Sequence, residues 1–138
     1  MNSEAKPKIL ALMGSPRKSG NAALLLAEAL KGAQFAGADT ETILADDIEN
    51  SPCLACGGCE RDGKCVINDP MQPLYPKLEE ADGIIIATPI FFMGLPAQLK
   101  AIVDRCQPFW ARKYLLSDPV AKRRPGMLIA VGGTDLPH

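Results

Sequence analysis

Short apolar runs alternate with segments of helical periodicity along this chain, and that alternation restricts the fold more than any other feature. Lys8-Ile-Leu-Ala-Leu-Met13 stops at Gly14, and Gly83-Ile-Ile-Ile-Ala-Thr88 is closed by Pro89. Residues 126–131 (GMLIAV) are closed by Gly132-Gly133, and residues 40–45 (TETILA) supply a further strand. Continuous apolar runs belong to strands covered on both faces, as in a parallel sheet. Between them, residues 22–36 form a helix with Leu26, Leu30 and Ala33 on one face and Glu28, Lys31 and Gln34 on the other. Residues 70–80 give a second helix. Residues 96–112 give a third, with Leu95, Leu99, Ile102 and Cys106 on one stripe and Pro96 in the first turn. Strand and helix in alternation predict a doubly wound α/β domain with a parallel sheet. At 138 residues, without repeats or low-complexity tracts, one domain is expected.

Several function classes drop out. The 15 basic and 16 acidic residues are spread along the chain and leave no electrostatic footprint for nucleic acid. The longest apolar run, residues 83–96, is too short for a bilayer and carries its own turn residues, so no membrane partner is expected. The opening MNSEAKPK lacks the charged-then-apolar pattern of a signal peptide, which predicts a cytoplasmic protein. In that compartment cysteines stay reduced, favouring metal or redox chemistry over structural disulfides.

Four of the five cysteines crowd into Cys53-Leu-Ala-Cys56-Gly-Gly-Cys59 and Cys65, in an insertion at about residues 50–66 on the rim of the sheet. Two-residue gaps wrap the backbone around one point, and Ala55, Gly57 and Gly58 let it approach closely. An iron–sulfur cluster is the leading candidate. Zinc favours two Cys-x-x-Cys pairs separated by a longer stretch. A redox disulfide needs two of the four thiols, and an empty motif is a third alternative. Arg61 and Lys64 are placed either to offset a cluster's negative charge or simply to meet solvent. Cys106, on the inward stripe of a helix, reads as a small buried hydrophobe. The lone histidine, His138, is the last residue, so acid–base chemistry through histidine is not expected. Asp46 and Asp47 read as a solvated loop.

Ligands in such sheets bind beyond the carboxyl ends of the strands. Three segments fall there. Gly14-Ser-Pro-Arg-Lys-Ser-Gly-Asn21 offers the hydroxyls of Ser15 and Ser19, the guanidinium of Arg17, and the free N–H groups of a helix start at Gly20 and Asn21. It is neither a P-loop nor a G-x-G-x-x-G turn. A phosphate monoester suits it; an ordinary turn capped by Ser19 or Asn21 is the alternative. Thr88-Pro-Ile-Phe-Phe-Met-Gly-Leu-Pro96 sets Ile90, Phe91, Phe92 and Met93 in a loop, where a flat aromatic ligand or a neighbouring subunit would bury them. Gly132-Gly133-Thr134 lets the backbone pass close to a ligand, or makes a plain turn.

With Leu99-Lys-Ala-Ile-Val-Asp-Arg105, these segments resemble the NADPH-dependent FMN reductase superfamily, which is flavodoxin-like; the cysteine spacing is similar to that of its iron–sulfur flavoprotein branch. The resemblance implies a sheet of order 2-1-3-4 and FMN with its phosphate at Ser15, Arg17, Ser19, Gly20 and Asn21. It implies an isoalloxazine ring against Thr88, Pro89, Ile90, Phe91, Phe92, Met93, Gly94, Gly132 and Gly133. It also implies a [4Fe-4S] cluster on Cys53, Cys56, Cys59 and Cys65, close to the flavin or facing it across a dimer interface. Electrons would pass between a reduced donor, NAD(P)H or ferredoxin, and a small-molecule acceptor, with the protein supplying position and electronics rather than a catalytic acid or base. Ala22 stands where many relatives carry Thr or Ser, and Phe91 where they often carry Tyr. The usual fifth strand and last helix are missing, which would leave residues 127–131 as an open edge and uncover the first helix. A partner subunit, in a homodimer or homotetramer, is therefore expected to cover this region, unless the sequence is a fragment of a longer protein. Three alternatives remain: a cluster-free NAD(P)H-dependent FMN or quinone reductase, a non-catalytic electron carrier of flavodoxin type, and a truncated remnant that associates with a full-length relative. The near-neutral charge stands against the carrier.

Overall fold

A computed structural model of the chain describes residues 5–118 and 123–133. The expectations placed on residues 1–4, Thr134 and His138 lie outside these. The strands are β1 (Lys8–Met13), β2 (Asp39–Leu44), β3 (Gly83–Pro89) and β4 (Gly126–Val131), all parallel, in the order β2-β1-β3-β4. Register runs from Lys8↔Asp39 to Met13↔Leu44, from Ile9↔Gly83 to Met13↔Ala87, and from Ile84↔Gly126 to Pro89↔Val131.

Burial explains the continuous apolar runs. In β1, Leu10 and Leu12 face one core cluster with Met71, Leu74, Leu78, Leu99 and Ile102. Ala11 and Met13 face the other, with Ala22, Leu26, Ile85 and Ala87. Both faces are covered, so no polar alternation is tolerated. The helices that cover them are α1 (Asn21–Phe35) on one side, and α3 (Leu74–Glu80) with α4 (Ala97–Asp104) on the other. The edge strand β4 leaves Met127 and Leu128 more than half exposed.

Three elements depart from the sequence reading. The expected helix at 70–80 shortens to Leu74–Glu80, because the Asp69 carboxylate takes the Met71 N–H at 3.1 Å and the chain turns through Pro70 and Pro73 first. The expected helix at 96–112 breaks into α4 and α5 (Gln107–Tyr114). Pro108 has no N–H to offer the Asp104 carbonyl, and its ring crowds that turn. A single turn of helix, α2 (Cys59–Asp62), opens inside the cysteine segment, and its left-handed cap is Gly63 at φ 72°. Residues 45–47 form one 3-10 turn after β2.

Candidate functional site

Parallel strands bring the carboxyl ends of β1, β3 and β4 to one edge, so the loops that follow them are neighbours. Two backbone hydrogen bonds tie these ends together: Gly14 N–H donates to the Ala87 carbonyl at 2.7 Å, and Ile90 N–H to the Val131 carbonyl at 2.9 Å. Gly14 is required by close approach. A Cβ there would lie 2.6 Å from Leu99 Cδ2 and 3.0 Å from Thr88 Oγ1.

The loop after β1 leads into the start of α1. Ser15 is buried, and its hydroxyl accepts the Arg17 N–H at 3.1 Å, which shapes the turn. Neither Ser19 nor Asn21 caps the helix. The N-cap is Gly20, in extended backbone, and no side chain bonds to the first-turn N–H groups. No acidic residue stands in the first turn either. An uncapped helix start presents orphan donors and the positive end of the helix dipole. Arg17, Ser19 and Asn21 are exposed around it. This arrangement can hold an anion.

The loop after β3 makes a tight turn. Phe91 N–H donates to the Gly94 carbonyl at 2.9 Å and Gly94 N–H to the Phe91 carbonyl at 3.0 Å. The two residues between them have positive φ, 42° at Phe92 and 68° at Met93, which is the type I′ geometry that favours Asn-Gly. Left-handed backbone costs a bulky residue about 1–2 kcal/mol. Phe92 is nevertheless fully exposed and Met93 78% exposed, with Ile90 and Phe91 half-exposed beside them. Strain and exposed apolar surface together mark a loop shaped for a ligand. Thr88 lies beneath the loop, fully buried, its hydroxyl donating to the Pro89 carbonyl at 2.9 Å. Gly132 and Gly133 are open to solvent, and a Cβ on either would meet nothing.

Cys53, Cys56, Cys59 and Cys65 line one cavity of about 320 Å³, together with Arg105, Gln107 and Pro108. Ala55 (φ 51°) and Gly57 (φ 70°) turn the backbone between the sulfurs. Gly58 has no room for a side chain: its Cβ would lie 2.7 Å from Val66 Cγ1 and 3.5 Å from Cys56 Sγ. All five cysteines are free thiols. Burial raises the Cys59 thiol above its ordinary value; a backbone hydrogen bond opposes this, and Cys65, Cys53 and Glu60 add to the rise. Among the described residues, no three Cys, His, Asp or Glu side chains gather closely enough to share a single metal ion.

The base of this loop is closed by a residue that the sequence motifs do not single out for the cavity. Arg105 is 1% exposed and forks onto Asp69, with Nη1 to Oδ2 at 2.7 Å and Nη2 to Oδ1 at 3.0 Å. The same nitrogens donate to the carbonyls of Ser51 at 2.8 Å and Ile67 at 3.4 Å. Asp69 also accepts the Ser51 N–H at 2.8 Å. Gln72 Nε2 holds the carbonyls of Cys65 and Ile67, at 3.1 and 2.6 Å. The Arg105 hydrogen bond holds the Asp69 carboxyl below the usual range. Arg61 and Lys64, by contrast, are exposed and off the cavity wall. Arg105 ends the Leu99–Arg105 segment that carries the resemblance, but nothing local ties it to the cysteines: it stands three residues after Ile102, a charge beside an apolar stripe.

The anion-binding edge and the cysteine cavity lie toward opposite ends of α4. Residues 90–96 lead into its N-terminus, and Arg105 follows its last residue. Its 8 residues span about 12 Å.

Residues 7–136 match the family model of NADPH-dependent FMN reductases. The chain is 44% identical over 101 residues to an iron-sulfur flavoprotein of Methanocaldococcus jannaschii, covering 73% of this chain and 52% of that protein. It is 39% identical over 127 residues to an iron-sulfur flavoprotein of Methanosarcina thermophila, covering 92% and 64%. Its structure is similar to that of a flavone reductase, with a TM-score of 0.69 and 27% identity, over 93% of this chain and 44% of that one. The fold also matches an NAD(P)H:quinone oxidoreductase from Methanothermobacter marburgensis, with a TM-score of 0.67 and 12% identity, over 95% and 87%. The chain spans 49% to 64% of the length of the curated relatives it matches.

Proposed function

The chain belongs to the NADPH-dependent FMN reductase family, and from that premise we propose that it binds FMN at the carboxyl edge of its sheet and a [4Fe-4S] cluster on its cysteine loop. It works as an oxidoreductase between a reduced donor, NAD(P)H or ferredoxin, and a small-molecule acceptor. The observation that carries this reading is the pairing, on one sheet edge, of an uncapped helix start with a strained, exposed apolar turn. One suits a phosphate and the other a flat ring.

The residues divide the work. The first-turn N–H groups of α1 and the Arg17 guanidinium hold the phosphate, with Ser19 and Asn21 as further donors and Ser15 keeping the loop in shape. Ile90, Phe91, Phe92 and Met93 cover the ring and exclude water, while Gly132 and Gly133 leave room beside it. Cys53, Cys56, Cys59 and Cys65 supply thiolates. They line the wall of one cavity at compact spacings, and such a thiolate set is the ligand chemistry of an iron–sulfur cluster. When bound, FMN accepts a hydride or exchanges single electrons, and a cluster exchanges one electron at a time.

Purification of the chain without oxygen tests the proposal. A flavin spectrum, fluorescence identified as FMN after release, and iron with acid-labile sulfide are the expected results. FMN with no iron or sulfide after reconstitution would leave a flavin reductase with idle cysteines. Protein that takes up neither group ends the proposal. Bleaching of the flavin by NADH or NADPH, against none by either, assigns the donor.

A further inference from the structure

We infer that Arg105 positions and tunes the anionic group held by the four cysteines, through its charge and through a hydrogen bond from its Nε–H to a sulfur in the cavity. The inference rests on the reading of the cysteine loop as a cluster site.

Two observations carry it. The first is a donor count. A guanidinium has five N–H donors, and Nη1 and Nη2 meet four acceptors between them: both Asp69 oxygens and the carbonyls of Ser51 and Ile67. Nε is the one buried side-chain nitrogen or oxygen left without a hydrogen-bond partner among the described residues; the Tyr75 hydroxyl lies beside the guanidinium and Cys65, but it donates to the Arg105 carbonyl at 2.8 Å. Buried donors are almost always paired, so an orphan on a cavity wall points to an acceptor that belongs in the cavity. Thiolate and sulfide sulfurs are the acceptors that a cluster would bring there.

The second is placement. Arg105 lines the same cavity as the four cysteines, whereas the two cations inside the loop, Arg61 and Lys64, are exposed and off its wall. A buried ion pair is a poor source of stability compared with apolar packing. Its value here is geometric. Ser51 precedes the first cysteine, and Ile67 and Asp69 follow the last. One guanidinium therefore clasps both ends of the loop and sets its charge against the sulfurs between them. One-electron reduction adds a negative charge to a cluster. A fixed cation and a hydrogen bond to sulfur favour the reduced form and raise its potential.

The test compares the reconstituted chain with Arg105→Gln and Arg105→Lys at equal iron and sulfide content. Arg105→Gln is expected to lower the cluster's midpoint potential, so that at a fixed potential the reduced fraction relative to oxidised falls about tenfold, equal to about 59 mV for one electron. Arg105→Lys keeps a point charge but loses the fork and the Nε–H; its potential should fall in between. The Arg61→Lys chain with Arg105 intact, labelled with ¹⁵N at arginine Nε, provides a readout that does not depend on folding of an Arg105 variant. Pulsed EPR of the reduced cluster should show a nitrogen coupling from Arg105. No coupling, or an unchanged potential in Arg105→Gln, overturns the inference and leaves the cluster reading intact. A wild-type chain that assembles no cluster sinks both.

Discussion

Gly14→Ala puts a methyl group where β1, β3 and α4 converge, beneath both loops of the proposed FMN site. Its carbon would stand 2.6 Å from Leu99 Cδ2, 3.0 Å from Thr88 Oγ1 and 3.2 Å from Thr88 Cβ. Leu99 and Thr88 are each 0% exposed, so neither can swing into solvent. Overpacking of this kind costs about 1–3 kcal/mol. The smaller entropy of an unfolded chain with Ala offsets about 0.4–1 kcal/mol. The net loss is about 1–2 kcal/mol, a fall of roughly 3–8 °C in Tm for a domain of this size. Leu99→Ala by itself should cost about 2–5 kcal/mol through the cavity it leaves. In the double variant the new methyl fills part of that cavity, so the two losses should fall short of their sum by about 1 kcal/mol or more. Thermal or urea unfolding of all four chains, apo and at one pH, measures this. FMN affinity should drop in Gly14→Ala and recover in part in the double variant. Additivity to within about 0.5 kcal/mol, or a Gly14→Ala chain as stable as wild type, would refute the close-approach argument.

Other predictions follow from single sites. Arg17→Ala should weaken FMN roughly tenfold, since the contact is a charged but exposed one. It should leave riboflavin, which lacks the phosphate, unaffected; equal losses for both flavins in titration calorimetry would remove Arg17 from the phosphate site. Replacing Phe92 with Asn and Met93 with Gly should relieve the left-handed strain and stabilise the apo chain by about 1–2 kcal/mol, while FMN binding weakens because the apolar cover is lost. A lower apo Tm would contradict the turn assignment. Burial pushes the Cys106 thiol up to about 11, with Asp104 adding to the rise, so in the apo chain it should be alkylated last, after exposed Cys53 and Cys56. Because the folded value lies above the ordinary 9.0, the stability that Cys106 contributes is present below about pH 9 and lost as pH rises to about 11. Cys106→Ala should flatten the decline over that window, and an unchanged decline would remove Cys106 as its source.

Much of the fold is legible along the chain because burial on two faces writes itself into consecutive residues. The apolar runs in β1 and β3 mark covered strands within a residue of their ends, and Leu99 and Ile102 mark the inward side of α4, a stripe that Cys106 continues past its end. Helix boundaries are less legible. The 96–112 periodicity continues through Arg105 and Cys106, so only the competition between pattern and Pro108 shows where the helix breaks. Ser19 and Asn21 are good capping residues, yet the chain places Gly20 at the cap and leaves the N–H groups open. A local propensity names candidates; the path of the loop chooses among them.

By itself the sequence determined the parallel α/β core and the sets of residues on which function is proposed, because core periodicity and motif spacing are short-range properties. The tertiary structure alone decided which cation faces the sulfurs. Arg105 meets Ser51, Ile67 and Asp69 across 54, 38 and 36 residues. No local pattern encodes a hydrogen-bond fork assembled over such separations, and only packing the chain that joins α4 to α5 against the cysteine loop brings its members within reach.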